Sequence, residues 1–130
     1  MYFDGALSRH GKGARIVLKS PLSHIFKFAY RLELEATNNV AEYEALLLGL
    51  ELVKALRVNF LSIKGDSDLI VMQIKNKFTC KNQRLRNYRN VVWDTMEYFD
   101  ALDLEAIPRK HNSLADELSI ATSTCSYLMN

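Results

Sequence analysis

The sequence predicts an α/β domain, one mixed β-sheet with helices packed on it. Two observations carry this. Three β-rich segments with short connections open the chain, which suggests an antiparallel meander. The apolar spacing then changes from two to three and four, and helices and strands alternate to the end. No linker, repeat or low-complexity tract divides the 130 residues, about one domain's worth.

In order, Met1 to Asp4 reads as a strand that Gly5 breaks, and LSRHGKG (7–13) as a turn. Ala14 to Lys19 is the second strand, stopped by Ser20-Pro21. Ile25 to Leu34 is the third: Phe26, Phe28, Tyr30, Leu32 and Leu34 alternate with Lys27, Ala29, Arg31 and Glu33. Val40 to Leu56 has helical length and composition. Phe60 to Lys64 is a short strand, and Ser67 to Asn76 a helix. From Gln83 to Ala101, Leu85, Tyr88, Val92, Met96 and Phe99 mark an amphipathic helix. Leu102 to Ile107 is the last strand, closed by Pro108. Asn112 or Ser113 caps a final helix to about Thr122, and residues 123–130 read as a fraying tail.

Composition narrows the function. No apolar run approaches the ~20 residues that span a bilayer, so a membrane role is not expected. Cys80 and Cys125 form no CxxC pair, which disfavours zinc or a disulfide framework. A reducing, intracellular setting fits, nucleus or cytoplasm. Net charge is only +2, yet Lys75, Lys77, Lys81, Arg84, Arg86 and Arg89 form a local basic run.

Four acids stand at positions where acids need a reason. Stepping by three and four from Glu42 meets Ala45, Leu46, Gly49, Val53 and Leu56, an apolar stripe. The same steps from Glu44 meet Leu47, Leu48, Glu51, Lys54 and Ala55, a flank that reaches solvent. Glu42 therefore points at the sheet, where a lone carboxylate is costly. Each acid also has an ordinary account. Asn39-x-x-Glu42 has capping-box spacing, Asp4 precedes a turn glycine, Asp66 suits an N-cap and Asp116 a first helical turn. All four nonetheless fall at strand ends or helix starts, where an α/β sheet places its ligand crevice. Carboxylates that converge there call for a hard divalent ion with oxygen ligands, such as Mg²⁺.

FDGA (3–6), TNNVAEYEALLLGLELV (37–53), GDSDLIVMQI (65–74) and IPRKHNSLADELS (107–119) resemble, in order and spacing, the four motifs of type 1 ribonuclease H. The likeness is nearest to the ribonuclease H-like domains of plant retrotransposon polyproteins, and runs from Tyr2 to Ala121. It implies a ribonuclease H-like fold: a five-stranded mixed sheet ordered 3-2-1-4-5, strands one to three antiparallel, with helices on both faces. It implies an acidic tetrad of Asp4, Glu42, Asp66 and Asp116 that holds two Mg²⁺ ions, with Mn²⁺ as the alternative. The reaction implied is endonucleolytic hydrolysis of the RNA strand of an RNA–DNA hybrid. By the same likeness Asn38 reaches the minor groove and Thr37 holds a DNA phosphate, while the polar TNN stretch also suits helix capping. Lys75, Lys77, Lys81 and Arg84 are the candidate backbone contacts.

The sequence also departs from the family. The chain starts three residues before Asp4, so the first strand of the 1–122 domain reads as shortened. No inserted basic handle separates the second and third helices, and the run from Lys75 to Arg89 is the candidate substitute. Ala106 stands where some relatives carry a mobile-loop histidine, and His111 is in that loop at another offset. His10 and His24 read as surface residues. The alternative functions are a catalytically weak or inactive nucleic-acid-binding module derived from a retroelement, and a domain that docks a reverse transcriptase or polyprotein partner, for which the apolar SYLM (126–129) is the only hint.

Overall fold

A computed structural model gives the fold and describes residues 1–8, 11–32 and 37–108. The elements run β1 (Tyr2–Ser8), β2 (Gly11–Lys19), β3 (Ile25–Leu32), α1 (Asn38–Ala55), β4 (Phe60–Gly65), α2 (Asp68–Ile74), α3 (Gln83–Met96) and β5 (Ala101–Ala106). They form one five-stranded sheet in the order β3-β2-β1-β4-β5. The β1–β2 and β2–β3 pairs are antiparallel, and the β1–β4 and β4–β5 pairs parallel.

Two boundaries differ from the sequence expectation. Gly5 does not end the first strand: β1 continues to Ser8, and β2 already starts at Gly11. The residues expected as a turn are largely ladder, because Ser8 pairs with Gly11 and Leu7 with Lys12. The third helix stops at Met96 rather than Ala101. Asp100 and Ala101 donate their backbone N–H groups to the Asn59 carbonyl, which turns the chain into β5. Phe99 keeps the helical spacing but buries its ring from this turn. The expected end of the third strand at Leu34, the final helix and the tail lie outside the described residues.

Side-chain alternation divides the sheet into two faces. Phe3 and Ile16 are partners across β1 and β2, and Ile63 and Leu104 across β4 and β5, all four buried on the face that meets the helices. Tyr43, Leu46 and Leu50 of α1, Ile70 and Val71 of α2, and Val92 of α3 close this core. Each fully buried side chain of this kind contributes about 1.5–3 kcal/mol. The three helices touch one another and so form one layer. The opposite face carries charge pairs on facing strands: Asp4 with Arg15, and Lys64 with Glu105 at 3.5 Å. Among the described residues, no helix is long and apolar enough to cross a membrane.

Candidate active site

The site forms where β1 and β4 stop pairing. Their last partners are Phe3 and Gly65, and the residue that follows each is an aspartate, Asp4 within β1 and Asp66 just after β4. Gly65 is needed at that rung, since a Cβ there would lie 2.5 Å from the Phe3 ring. Gly5 serves the same end from the other side. A Cβ on Gly5 would fall onto the backbone of Ala41 and Glu42, so the strand and α1 approach only because none is present. That approach sets Glu42 beside Asp4.

Helix α1 begins two residues earlier than a cap at Asn39 requires. Thr37 is the N-cap and accepts the Val40 N–H at 3.3 Å. Glu42 therefore lies beyond the first turn, and neither a capping box nor the helix dipole accounts for it. Asp66 is not a cap either: Ser67 takes that role and accepts the Ile70 N–H. Asp4 is not at a strand end but inside the β1–β2 ladder, paired with Arg15. The ordinary accounts of these three acids are thus removed by the geometry.

Asp4, Glu42 and Asp66 each bring a carboxylate oxygen within 4.8 Å of the others. Asp4 and Glu42 are buried and Asp66 is half-buried. Burial raises the Glu42 carboxyl first, and the Asp4 and Asp66 charges raise it further, to about 8. The Gly5 N–H donates to Glu42 and opposes the rise. Asp4 is raised by burial, against the pull of the Arg15 guanidinium beside it, which donates to Oδ2. Glu42 Oε2 is buried with no hydrogen-bond partner. An all-oxygen, mutually repelling set with an orphaned oxygen fits a hard divalent cation. Asp116, the fourth expected acid, lies outside the described residues, as does His111. Ala106 ends β5, opposite Gly65.

The basic run divides. Lys75, Lys77, Lys81 and Arg84 are exposed around the α2–α3 connection. Arg84 also interacts with the Tyr88 hydroxyl within α3; Arg86 is turned back on Gln83, and Arg89 lies 4.2 Å over the Trp93 ring. Thr37 and Asn38 are exposed at the start of α1. Glu44 departs from the sequence reading. It is half-buried and accepts the Tyr88 hydroxyl, while Tyr88 stacks on Tyr43 at 5.9 Å. Two contacts escaped the sequence entirely, Arg15 on Asp4 and Tyr88 on Glu44. The first follows from register alone, because counting back from a Ser8–Gly11 closure sets Arg15 opposite Asp4.

The family model described as "Reverse transcriptase-like" matches residues 2–122. Ribonuclease HI of Halobacterium salinarum is 32% identical over 84 residues, which are 65% of this chain and 42% of that protein. The bifunctional protein Rv2228c of Mycobacterium tuberculosis matches at 32% over 84 residues, 23% of its length. The chain thus spans less than half the length of these relatives. Among solved structures, RNase H1 of Halobacterium salinarum superposes with a TM-score of 0.81 at 31% identity over 90% of each chain. LC11-RNase H1, solved in complex with an RNA/DNA hybrid, does so with a TM-score of 0.72 at 30% identity, again over 90% of each chain. The foamy viral protease-reverse transcriptase, at 19% identity and a TM-score of 0.67, shares the fold. With this sheet order, this match and these structural neighbours, the chain belongs to the type 1 ribonuclease H family.

Proposed function

We propose that this protein is a divalent-metal-dependent endonuclease that hydrolyses the RNA strand of RNA–DNA hybrids. The observation that carries the reading is the convergence of the Asp4, Glu42 and Asp66 carboxylates in a member of this family. These three, with Asp116, would hold two Mg²⁺ ions, Mn²⁺ being the alternative. When bound, such ions activate the attacking water and stabilise the leaving oxygen of a phosphodiester.

The chain's own residues supply position and charge. Gly5 holds β1 against α1, so that Glu42 and Asp4 act on one point. The Thr37 hydroxyl accepts from Val40, which leaves its own proton for a phosphate oxygen. Lys75, Lys77, Lys81 and Arg84 face the backbone of the bound duplex, and Asn38 its minor groove. The domain's setting would be intracellular, within a retroelement-type reverse transcriptase or polyprotein, in keeping with the "Reverse transcriptase-like" match and the buried, free Cys80.

The test is cleavage of a hybrid labelled on either strand. Cleavage of the RNA strand that needs Mg²⁺ and is lost in Asp66→Asn supports the reading. No cleavage by folded protein at any Mg²⁺ concentration refutes it. One observation favours a second reading, a nucleic-acid-binding module without turnover: a guanidinium already sits on Asp4. Salt-dependent hybrid binding that survives Asp4→Asn, with no cleavage by the unaltered protein, would establish that reading instead.

A further inference from the structure

The β1–β2 register sets Arg15 directly across from Asp4, on the sheet face turned away from α1. The Arg15 Nη2 group is in ion-pair contact with Asp4 Oδ2. The two side chains are only 26% and 10% exposed, so water screens the pair weakly. Asp4 also belongs to the three-carboxylate cluster. The structure therefore brings a fixed cation to one carboxylate of the cluster that a divalent ion would use.

A guanidinium cannot leave by losing its proton, because it stays charged at any pH a protein tolerates. It can only move aside or share Asp4. A carboxylate has lone pairs on both oxygens, so its chemistry allows sharing through the other oxygen. The like charges of guanidinium and metal ion then repel at close range. In the metal-free state the same guanidinium offsets the repulsion between Asp4, Glu42 and Asp66.

We propose that Arg15 is a built-in competitor for the divalent ion at Asp4. It stabilises the metal-free site and raises the ion concentration at which the site fills. The proposal rests on reading the carboxylate cluster as a metal site. It gives the chain a device that makes occupancy depend on ambient Mg²⁺ or Mn²⁺.

The experiment is direct Mn²⁺ binding to the full chain, followed by electron paramagnetic resonance of the unbound ion. The unaltered protein is compared with Arg15→Gln, Arg15→Lys and Glu42→Gln. Arg15→Gln is expected to bind Mn²⁺ about tenfold more tightly, with Arg15→Lys between the two. Equal or weaker binding by a folded Arg15→Gln protein overturns the proposal and leaves the metal-site reading standing. No Mn²⁺ binding by the unaltered protein or by Arg15→Gln overturns both. If Arg15→Gln does not fold, the unaltered protein still decides the matter by nitrogen-15 NMR. Mg²⁺ is expected to shift the Arg15 Nε–H resonance and speed its exchange with water. An unmoved resonance at saturating Mg²⁺ overturns the proposal.

Discussion

The Tyr43 hydroxyl donates to Gln73 Oε1 at 2.8 Å inside the core, joining α1 to α2 one residue after Glu42. Tyr43 is fully buried and Gln73 nearly so. Burial accordingly holds the Tyr43 phenol above its ordinary pKa. The bond fixes the rotation of α1 about its axis, and with it the direction of Glu42. Tyr43→Phe leaves Gln73 Oε1 without this donor and is expected to cost about 1–3 kcal/mol in urea unfolding. A loss below ~0.5 kcal/mol would mean that Gln73 finds another partner.

Gly5→Ala tests the close approach that brings Glu42 to Asp4. The added methyl meets backbone rather than a movable side chain. Overpacking of this kind costs about 1–3 kcal/mol. The helix must shift away from β1, so hybrid cleavage is expected to fall more than stability does. Retained cleavage with a lowered melting temperature would show that the site tolerates the shift.

The pH dependence of the metal-free protein has a definite sign. Glu42 is raised from the ordinary 4.5 to about 8, by burial and then by the Asp4 and Asp66 charges. Between these values the folded state keeps a proton that the unfolded chain releases. This stabilisation is fully present below about 4.5 and is lost as pH rises through about 8. Asp4 is raised too and adds to the effect with the same sign. Chelator-treated protein should therefore be less stable at pH 8.5 than at pH 5.5, by on the order of 1–3 kcal/mol. Glu42→Gln should flatten that slope in urea titrations at the two pH values, and an unchanged slope would place its cause elsewhere.

The exposed basic residues at the α2–α3 connection predict a salt signature. If Lys75 and Lys77 each neutralise one phosphate, Lys75→Ala with Lys77→Ala should lower the slope of log affinity against log salt by about 1.8. Fluorescence anisotropy with an uncleavable hybrid measures this. Arg89→Ala should leave the slope unchanged, since Arg89 is held over Trp93.

Most of the fold was legible because it is written in local pattern. The strand expected around Phe26, Phe28, Tyr30 and Leu32 and the helical run from Val40 are found as β3 and α1, although burial along β3 does not alternate and Phe26 is exposed. Glu42 was legible for the same reason, since its neighbours along one helix are all apolar. The cluster around it needed the family likeness, because Asp4 and Asp66 become neighbours only through the β1–β4 pairing. Arg15 was hidden by the misplaced turn, which obscured the register. Glu44 was misread because a single helix does not show what another brings to it: Tyr88 comes from α3, 44 positions later. Phe99 shows the opposite failure, a local spacing kept by a residue whose backbone had already turned toward β5.

β1 holds β2 at seven paired positions, and it parts from β4 after Phe3 and Gly65. Before that point the Met1 amino group donates to the Ser62 carbonyl and the Lys64 N–H to the Met1 carbonyl, so the seam between the hairpin half and the parallel half of the sheet has its open end at the carboxylates. Opening there would part Asp4 from Asp66 without unzipping the hairpin. An ion held by both would act as a clasp, making the slowest amide exchange along β1 and β4 a gauge of its presence.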